Sequence, residues 1–311
     1  VSTALAQETH VKKHTIPIAT GAAVAVLAAL TGCSTSASTD VAATSDASSS
    51  VSAACSDLQS QYGSLKGTTI KVATDPEIPN YSFIDKTQSN TVQGFNMDWT
   101  TAVTDCLGMK YTVVQTSFDG LIPALLAGRA DTVNSNLVAT TDRLKQVDFV
   151  TFQKQIEVFL RAKGNPKGIS SIADLCGNRI AVVPSSLEQA LAVQQSKQCT
   201  DDGKKPVTIA TYKDLAGGTQ AVLTGRSDVF MEPDSFAIES VKANADELEY
   251  SDRIPEGDTF IGWALQKSDT DLGKALEAAS KALQSDGTEA KLFTKWKQSA
   301  DYVSDVTYMT K

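Results

Sequence analysis

The chain has 311 residues, 41% hydrophobic and 21% charged, enough for one or two packed domains. A net charge of -8 and a pI near 4.9 exclude the basic face that a nucleic-acid partner needs, and no Lys/Arg cluster contradicts this. Both histidines, His10 and His14, precede the expected processing site, so a mature form lacks Ser-His, Cys-His and His-bearing zinc sites; Ser-x-x-Lys, Walker A and G-x-G-x-x-G motifs are also missing.

Val1 to His10 carry no structural signature, and Val11 is the alternative start. Lys12 and Lys13 give a positive n-region ahead of the small-residue apolar run Ile16 to Leu30, which is too short and Ala-rich to read as a spanning helix. Residues 1–32 are therefore expected to be a signal peptide. Leu30-Thr31-Gly32-Cys33 looks like a lipobox, with Cys33 the acylated residue that holds the protein at the membrane surface. Ser34 to Ser52 is Ser, Thr, Ala and Asp with little to bury, so residues 33–65 are expected to be a flexible tether.

Folded structure is expected from Lys66. Thr69 to Thr74 reads as a strand, the helical stretch GFNMDWTTAVTDCLGM ends at Gly108, and Tyr111 to Gln115 is a second strand. Leu121, Ile122, Leu125 and Leu126 then line one helix face, closed by Gly128 where a left-handed cap is cheap, and Asp131 to Val138 is the next strand. This strand–helix rhythm is that of a parallel sheet, whose ligands sit beyond the carboxyl ends of the strands, and it gathers the loops Asp75–Phe83, Ser117–Asp119 and Asn136–Thr141 at one crevice. Thr140 and Thr141 are N-cap residues for a helix opening at Asp142 and Arg143. A cation in a first helical turn faces the positive end of the helix dipole, so Arg143 makes sense there as an anion clamp or beside Asp142.

Gln155 to Ala162 and Thr259 to Gln266 are strand-like, and a second βα series lies between them. It is opened by Asp174, Leu175 and Cys176 and runs through RIAVVPSS, a helix through Gln189 to Gln195, the strand Val207 to Ala210, the helix Ala216 to Leu223 and the strand Ser227 to Met231. Asp271 to Leu283 and Thr288 to Lys297 are closing helices.

The pattern FDGLIPALLAGRAD followed by TTDRLKQVDF resembles the polar-amino-acid solute-binding proteins (family 3) that feed ATP-driven importers. The resemblance covers nearly all of Lys66 to Trp296. It implies an α/β, type II periplasmic-binding-protein-like clamshell of two lobes, each a mainly parallel sheet with flanking helices, joined by two crossover strands. The expected division is 66–158 for the first part of lobe 1, 159–254 for lobe 2, and 255–311 for the return of lobe 1 and the C-terminal helices. Four cysteines remain besides Cys33, and three pairings are possible; Cys176 and Cys199 fall inside lobe 2 while Cys55 and Cys106 flank elements of lobe 1, so the expected pairs are Cys55–Cys106 and Cys176–Cys199.

The resemblance also implies that Arg143 grips a ligand carboxylate and that lobe 2 swings shut over the ligand. Phe118, Ile78 and Tyr81 correspond to ligand-packing positions, with Ile78 replacing the family's stacking aromatic. Val138 stands where the family offers a hydroxyl, and Asn136 could restore some polarity. Ser185 and Ser186 match a helix-start anion site. The position of the family's ammonium-binding Asp is Pro233, flanked by Glu232 and Asp234. The expected function is the substrate-binding lipoprotein of an ABC importer, monomeric and anchored to the outer face of the cell membrane, delivering an amino acid or small carboxylate to a permease without cofactor, metal or catalysis. The alternatives are a prephenate or arogenate dehydratase on the same fold, with Glu232 as acid, and a sensory or adhesion lipoprotein.

Overall fold

A computed structural model describes residues 53–85, 91–254 and 259–311. The signal peptide, Cys33 and the Ser34–Ser52 tether lie outside the described residues. In chain order the elements are α1 (Ala53–Gln61), β1 (Thr69–Thr74), β2 (Glu77–Ile78), β3 (Ser82–Ile84), β4 (Val92–Gln93), α2 (Phe95–Cys106), β5 (Lys110–Gln115), α3 (Leu121–Leu126), β6 (Thr132–Val138), α4 (Thr141–Leu144), β7 (Val147–Gln155) and β8 (Glu157–Ala162). They continue with β9 (Arg179–Val182), α5 (Leu187–Asp201), β10 (Thr208–Thr211), α6 (Leu215–Leu223), β11 (Val229–Pro233), α7 (Asp234–Ala243), β12 (Leu248–Tyr250), β13 (Thr259–Gln266), α8 (Thr270–Ser285), α9 (Thr288–Lys295) and β14 (Val303–Met309).

Among the described residues the strands form two main sheets, in the orders β14-β7-β13-β6-β1-β5 and β10-β9-β11-β8-β12, and a small antiparallel sheet β2-β3-β4. Parallel pairing is confined to β5-β1-β6 in the first and β10-β9-β11 in the second; the strands that pass between lobes or return from them pair antiparallel. The sheets are thus mixed, because a chain that leaves one sheet and later re-enters it brings back strands of opposite direction. The stretch Gln155–Ala162 divides at Ile156, with β7 in the first sheet and β8 in the second.

Both sheets are buried on two faces, which is why their strands read as apolar runs. In the second sheet Val158 and Leu160 pack in one cluster with Phe230, while Phe159 packs in another with Val229 and Met231, the period-two alternation of a pleated strand. In the first, Phe95, Trp99, Phe152, Trp263 and Phe293 fill one side, and Leu121, Leu125, Leu137 and Phe149 fill the other. Gly128 (φ 67) closes the α3 turn in the expected left-handed conformation.

The first lobe begins earlier than Lys66. Helix α1 falls inside the stretch expected to be tether, and it is held there by the Cys55–Cys106 disulfide and by Leu58, Tyr62 and Leu65 packing on the first core. Cys176–Cys199 is the second disulfide, tying the turn before β9 to α5. Strand β14 was not anticipated; it pairs with β7, so both ends of the described chain lie in the first lobe.

Candidate functional site

The loops beyond the carboxyl ends of β1 and β6 face the start of α5 and the end of β11 across a cavity of about 50 Å³. Arg143 is carried there by α4, whose N-cap Thr140 accepts a hydrogen bond from the Arg143 N–H at 3.2 Å. Its side chain is buried, 8% exposed. One guanidinium nitrogen donates to the Val138 carbonyl and the other to the Ser185 carbonyl, both at 2.7 Å, so the same group touches both lobes. The Phe118 ring lies 5.7 Å from the guanidinium carbon, a cation–π distance. Burial lowers the Arg143 pKa to about 10, against the opposing charge of Glu188, so the group remains cationic at neutral pH.

The facing wall is acidic. Glu232, on β11, is 1% exposed and lines the cavity, and among the described residues neither of its carboxyl oxygens has a hydrogen-bond partner. Burial, then the nearby Glu188, raises its pKa well above the usual carboxylate range. Glu188 is in the first turn of α5 and is itself buried. Behind it Glu157 takes a 2.6 Å hydrogen bond from the Gln155 amide and lies within hydrogen-bond reach of Glu188; burial and that neighbour raise the Glu157 pKa. Asp75, Glu77 and Asp214 complete the acidic lining. Asp75, fixed by its N–H donating to Ser135 at 2.9 Å, is pushed up to about 6, first by burial.

Of the residues expected at the site, Ile78, Phe118, Asn136, Val138, Arg143, Ser186 and Glu232 line this cavity. Asn136 holds a left-handed backbone (φ 53) and accepts from the Asn96 amide at 2.9 Å. Three others lie elsewhere. Tyr81 is a core residue, edge-on to Phe95 and Phe236 at centroid distances of 6.0 and 5.9 Å. Asp234 opens α7 just after Pro233 ends β11, and that change of direction turns its carboxylate away to accept from the Tyr302 hydroxyl at 2.7 Å. Ser185 offers Arg143 its carbonyl, and its N–H is already taken by the Gln189 side chain at 2.8 Å, so it is no open anion site. Ser186 caps α5, accepting from the Gln189 N–H at 3.1 Å.

The sequence placed the loop holding Asp75 and Glu77 at the crevice without naming them as ligand residues, and it gave no lining role to Gln155, Glu188, Asp214, Leu215 or Phe236. Two carried a signal. Asp75 directly follows an apolar strand at its carboxyl end, and Glu188 follows a Ser N-cap by two residues.

A protein-family model described as bacterial extracellular solute-binding proteins, family 3, matches residues 70–299, most of the chain. The chain belongs to this family. As a family 3 solute-binding protein it has the type II two-lobe fold, and its relatives are amino-acid-binding proteins of ABC transporters that work outside the cytoplasm. The L-cystine-binding protein TcyJ of Escherichia coli (strain K12) is 28% identical over 235 residues, covering 73% of this chain and 82% of that one. An ancestral arginine-binding protein bound to arginine is 28% identical with a TM-score of 0.66, covering 75% of this chain and 99% of that one. An ancestral amino acid-binding protein, AncCDT-1, a precursor of cyclohexadienyl dehydratase, is 28% identical with a TM-score of 0.61, covering 78% and 98%. The amino-acid-binding relatives favour the solute-binding reading of this family 3 protein over the dehydratase.

Proposed function

We propose that this solute-binding protein captures a cationic amino acid between its lobes and hands it to an ABC permease. The observation that carries this reading is the pairing, in one inter-lobe cavity, of buried Arg143 with buried, unpartnered Glu232. A carboxylate on the guanidinium and an ammonium on Glu232 would each form a charge-assisted hydrogen bond, about twice as strong as a neutral one. Phe118, Ile78 and Val138 give the side chain an apolar path, and Asp75, Glu77 and Asp214 favour a positive group at its far end. The ancestral relative bound to arginine supports that choice.

The protein acts as a monomer and performs no catalysis; the cavity serves to hold the ligand and release it unchanged. Cys33, acylated after removal of residues 1–32, anchors it to the outer face of the cell membrane, a reading that rests on the Leu30-Thr31-Gly32-Cys33 motif. The lobes divide near Ile156 and in the segment between β12 and β13.

Thermal-shift titration of the purified protein with a panel of amino acids, run beside a prephenate turnover assay, tests this. Arginine, lysine or ornithine at 100 times Kd should stabilise by about 2.7 kcal/mol without product formation. Turnover of prephenate, or no response to any amino acid, would overturn it.

A further inference from the structure

We propose that Glu157, Glu188 and Glu232 form a cation subsite that gives up a proton when it receives a positive group of the ligand. The proposal rests on the amino-acid-binding reading and adds to it two residues, Glu157 and Glu188, and a proton stoichiometry.

Three carboxyl groups converge from three elements: β8, α5 and β11. All three are buried, and Glu188 stands beside both of the others, within hydrogen-bond reach of Glu157 and close enough to Glu232 to raise its pKa. Two carboxylates can hydrogen-bond each other only if a proton lies between them, since an ionised carboxylate is an acceptor alone. Glu157 uses one oxygen for the Gln155 amide, and its other oxygen, also buried, has no donor among the described residues. Glu232 lines the cavity, and both of its oxygens are buried without a partner among the described residues. Burying three negative charges this close together, with Glu232 wholly unpartnered and Glu157 half so, costs several kcal/mol, which protonation relieves.

The surrounding charges do not remove the need for that proton. Arg143 on α4 is the cation acting on Glu188; two of its five N–H groups donate to carbonyls, and on the proposed reading the rest of its charge is met by the ligand carboxylate rather than by Glu188. Asp234 on α7 adds negative charge near Glu157, while Asp234 itself is offset by Arg253 and the Tyr302 hydroxyl. Asp75, Glu77 and Asp214 line the same cavity and add to its negative potential. A ligand ammonium or guanidinium supplies the missing donors. It favours the ionised form, so the carboxyl proton passes to bulk water and one charge enters as one leaves.

Binding then weakens with acid. The carboxyl is protonated in the free protein and ionised in the complex, so affinity falls as pH drops between those two states, up to tenfold per pH unit for one proton. Arginine itself does not titrate between pH 5 and 7, nor does Arg143, so neither produces the slope.

The test is calorimetric titration of arginine into the protein at pH 7 in phosphate and in Tris, whose ionisation enthalpies differ, with affinities repeated at pH 6 and 5. The expected result is release of about one proton and an affinity loss approaching tenfold per unit. Glu232→Gln and Glu188→Gln should each remove most of the pH dependence, while Asp75→Asn, which removes the other raised carboxyl of the cavity, should remove only the smaller part that Asp75 itself contributes near pH 6. Arginine binding without proton release, or release that Asp75→Asn abolishes and the Glu variants do not, overturns the subsite and leaves the amino-acid-binding reading standing. Failure of every amino acid to bind overturns both.

Discussion

The two walls of the cavity meet the same burial problem in opposite ways. The first-lobe wall buries a guanidinium and satisfies it with backbone carbonyls, one of them from the other lobe. The second-lobe wall buries carboxyl groups and leaves oxygens unpaired. A group satisfied by the fold stabilises the closed protein with or without ligand, whereas an unsatisfied one stabilises only what comes to pair with it. On the proposed reading Arg143 serves structure and binding together, and Glu232 serves binding at the expense of structure.

Arg143→Ala breaks this contrast most severely. It should remove ligand-induced stabilisation altogether, a loss of at least 100-fold in arginine affinity by calorimetry, because the ligand carboxylate would be buried without a cation. Retained affinity would mean that the carboxylate lies elsewhere.

Removing each disulfide compares the lobes directly. The loops closed by Cys55–Cys106 and Cys176–Cys199 have sequence separations of 51 and 23. Chain entropy gives about 4 and about 3.5 kcal/mol respectively. Denaturant titration of the paired Cys→Ser variants should place the first below the second, both well below the parent.

Glu232→Gln sharpens the contrast, because its two effects have opposite signs. At pH 8 the variant should unfold at higher denaturant than the parent by about 1–2 kcal/mol, having lost a buried carboxyl with no donor, while its arginine affinity falls about tenfold or more. The sign follows from the raised pKa. A carboxyl that holds its proton more tightly when folded contributes stability below its unfolded pKa near 4.5, and that contribution is lost as pH rises through the folded value. The stability gain of the variant should therefore vanish below pH 4.

The smallest effect belongs to Ser185, which holds a left-handed backbone (φ 61) while presenting its carbonyl to Arg143. Ser185→Gly relieves that conformation and should change melting stability by less than about 1 kcal/mol, with arginine affinity unchanged.

Legibility in the sequence followed how local each cause was. Arg143 stood out because its N-cap Thr140 and its helix lie within four residues, and the family pattern spans the same stretch. The strand β1 was read end to end because its apolar run is bounded by Thr69 and Thr74. Glu157 was not legible, since it is covered by chain far along the sequence: Pro233 of β11 pairs with it on one side and the Ile254 N–H donates to its carbonyl. Tyr81 and Asp234 were drawn into the site by proximity in the sequence, although Phe95, Phe236 and Tyr302 claim them. Helix α1 was hidden by its Ser- and Gln-rich composition, and its order depends on a cysteine 51 positions away.

With α1 and β14 both packed on the first lobe, the chain enters the second sheet at Ile156 and comes back to the first in β13, with the second lobe inserted between. A dye on α1 and another on the exposed Val193 of α5 would sit on opposite bodies. Their energy transfer would then read the opening angle itself, which makes this scaffold a ready optical reporter for whatever solute it carries.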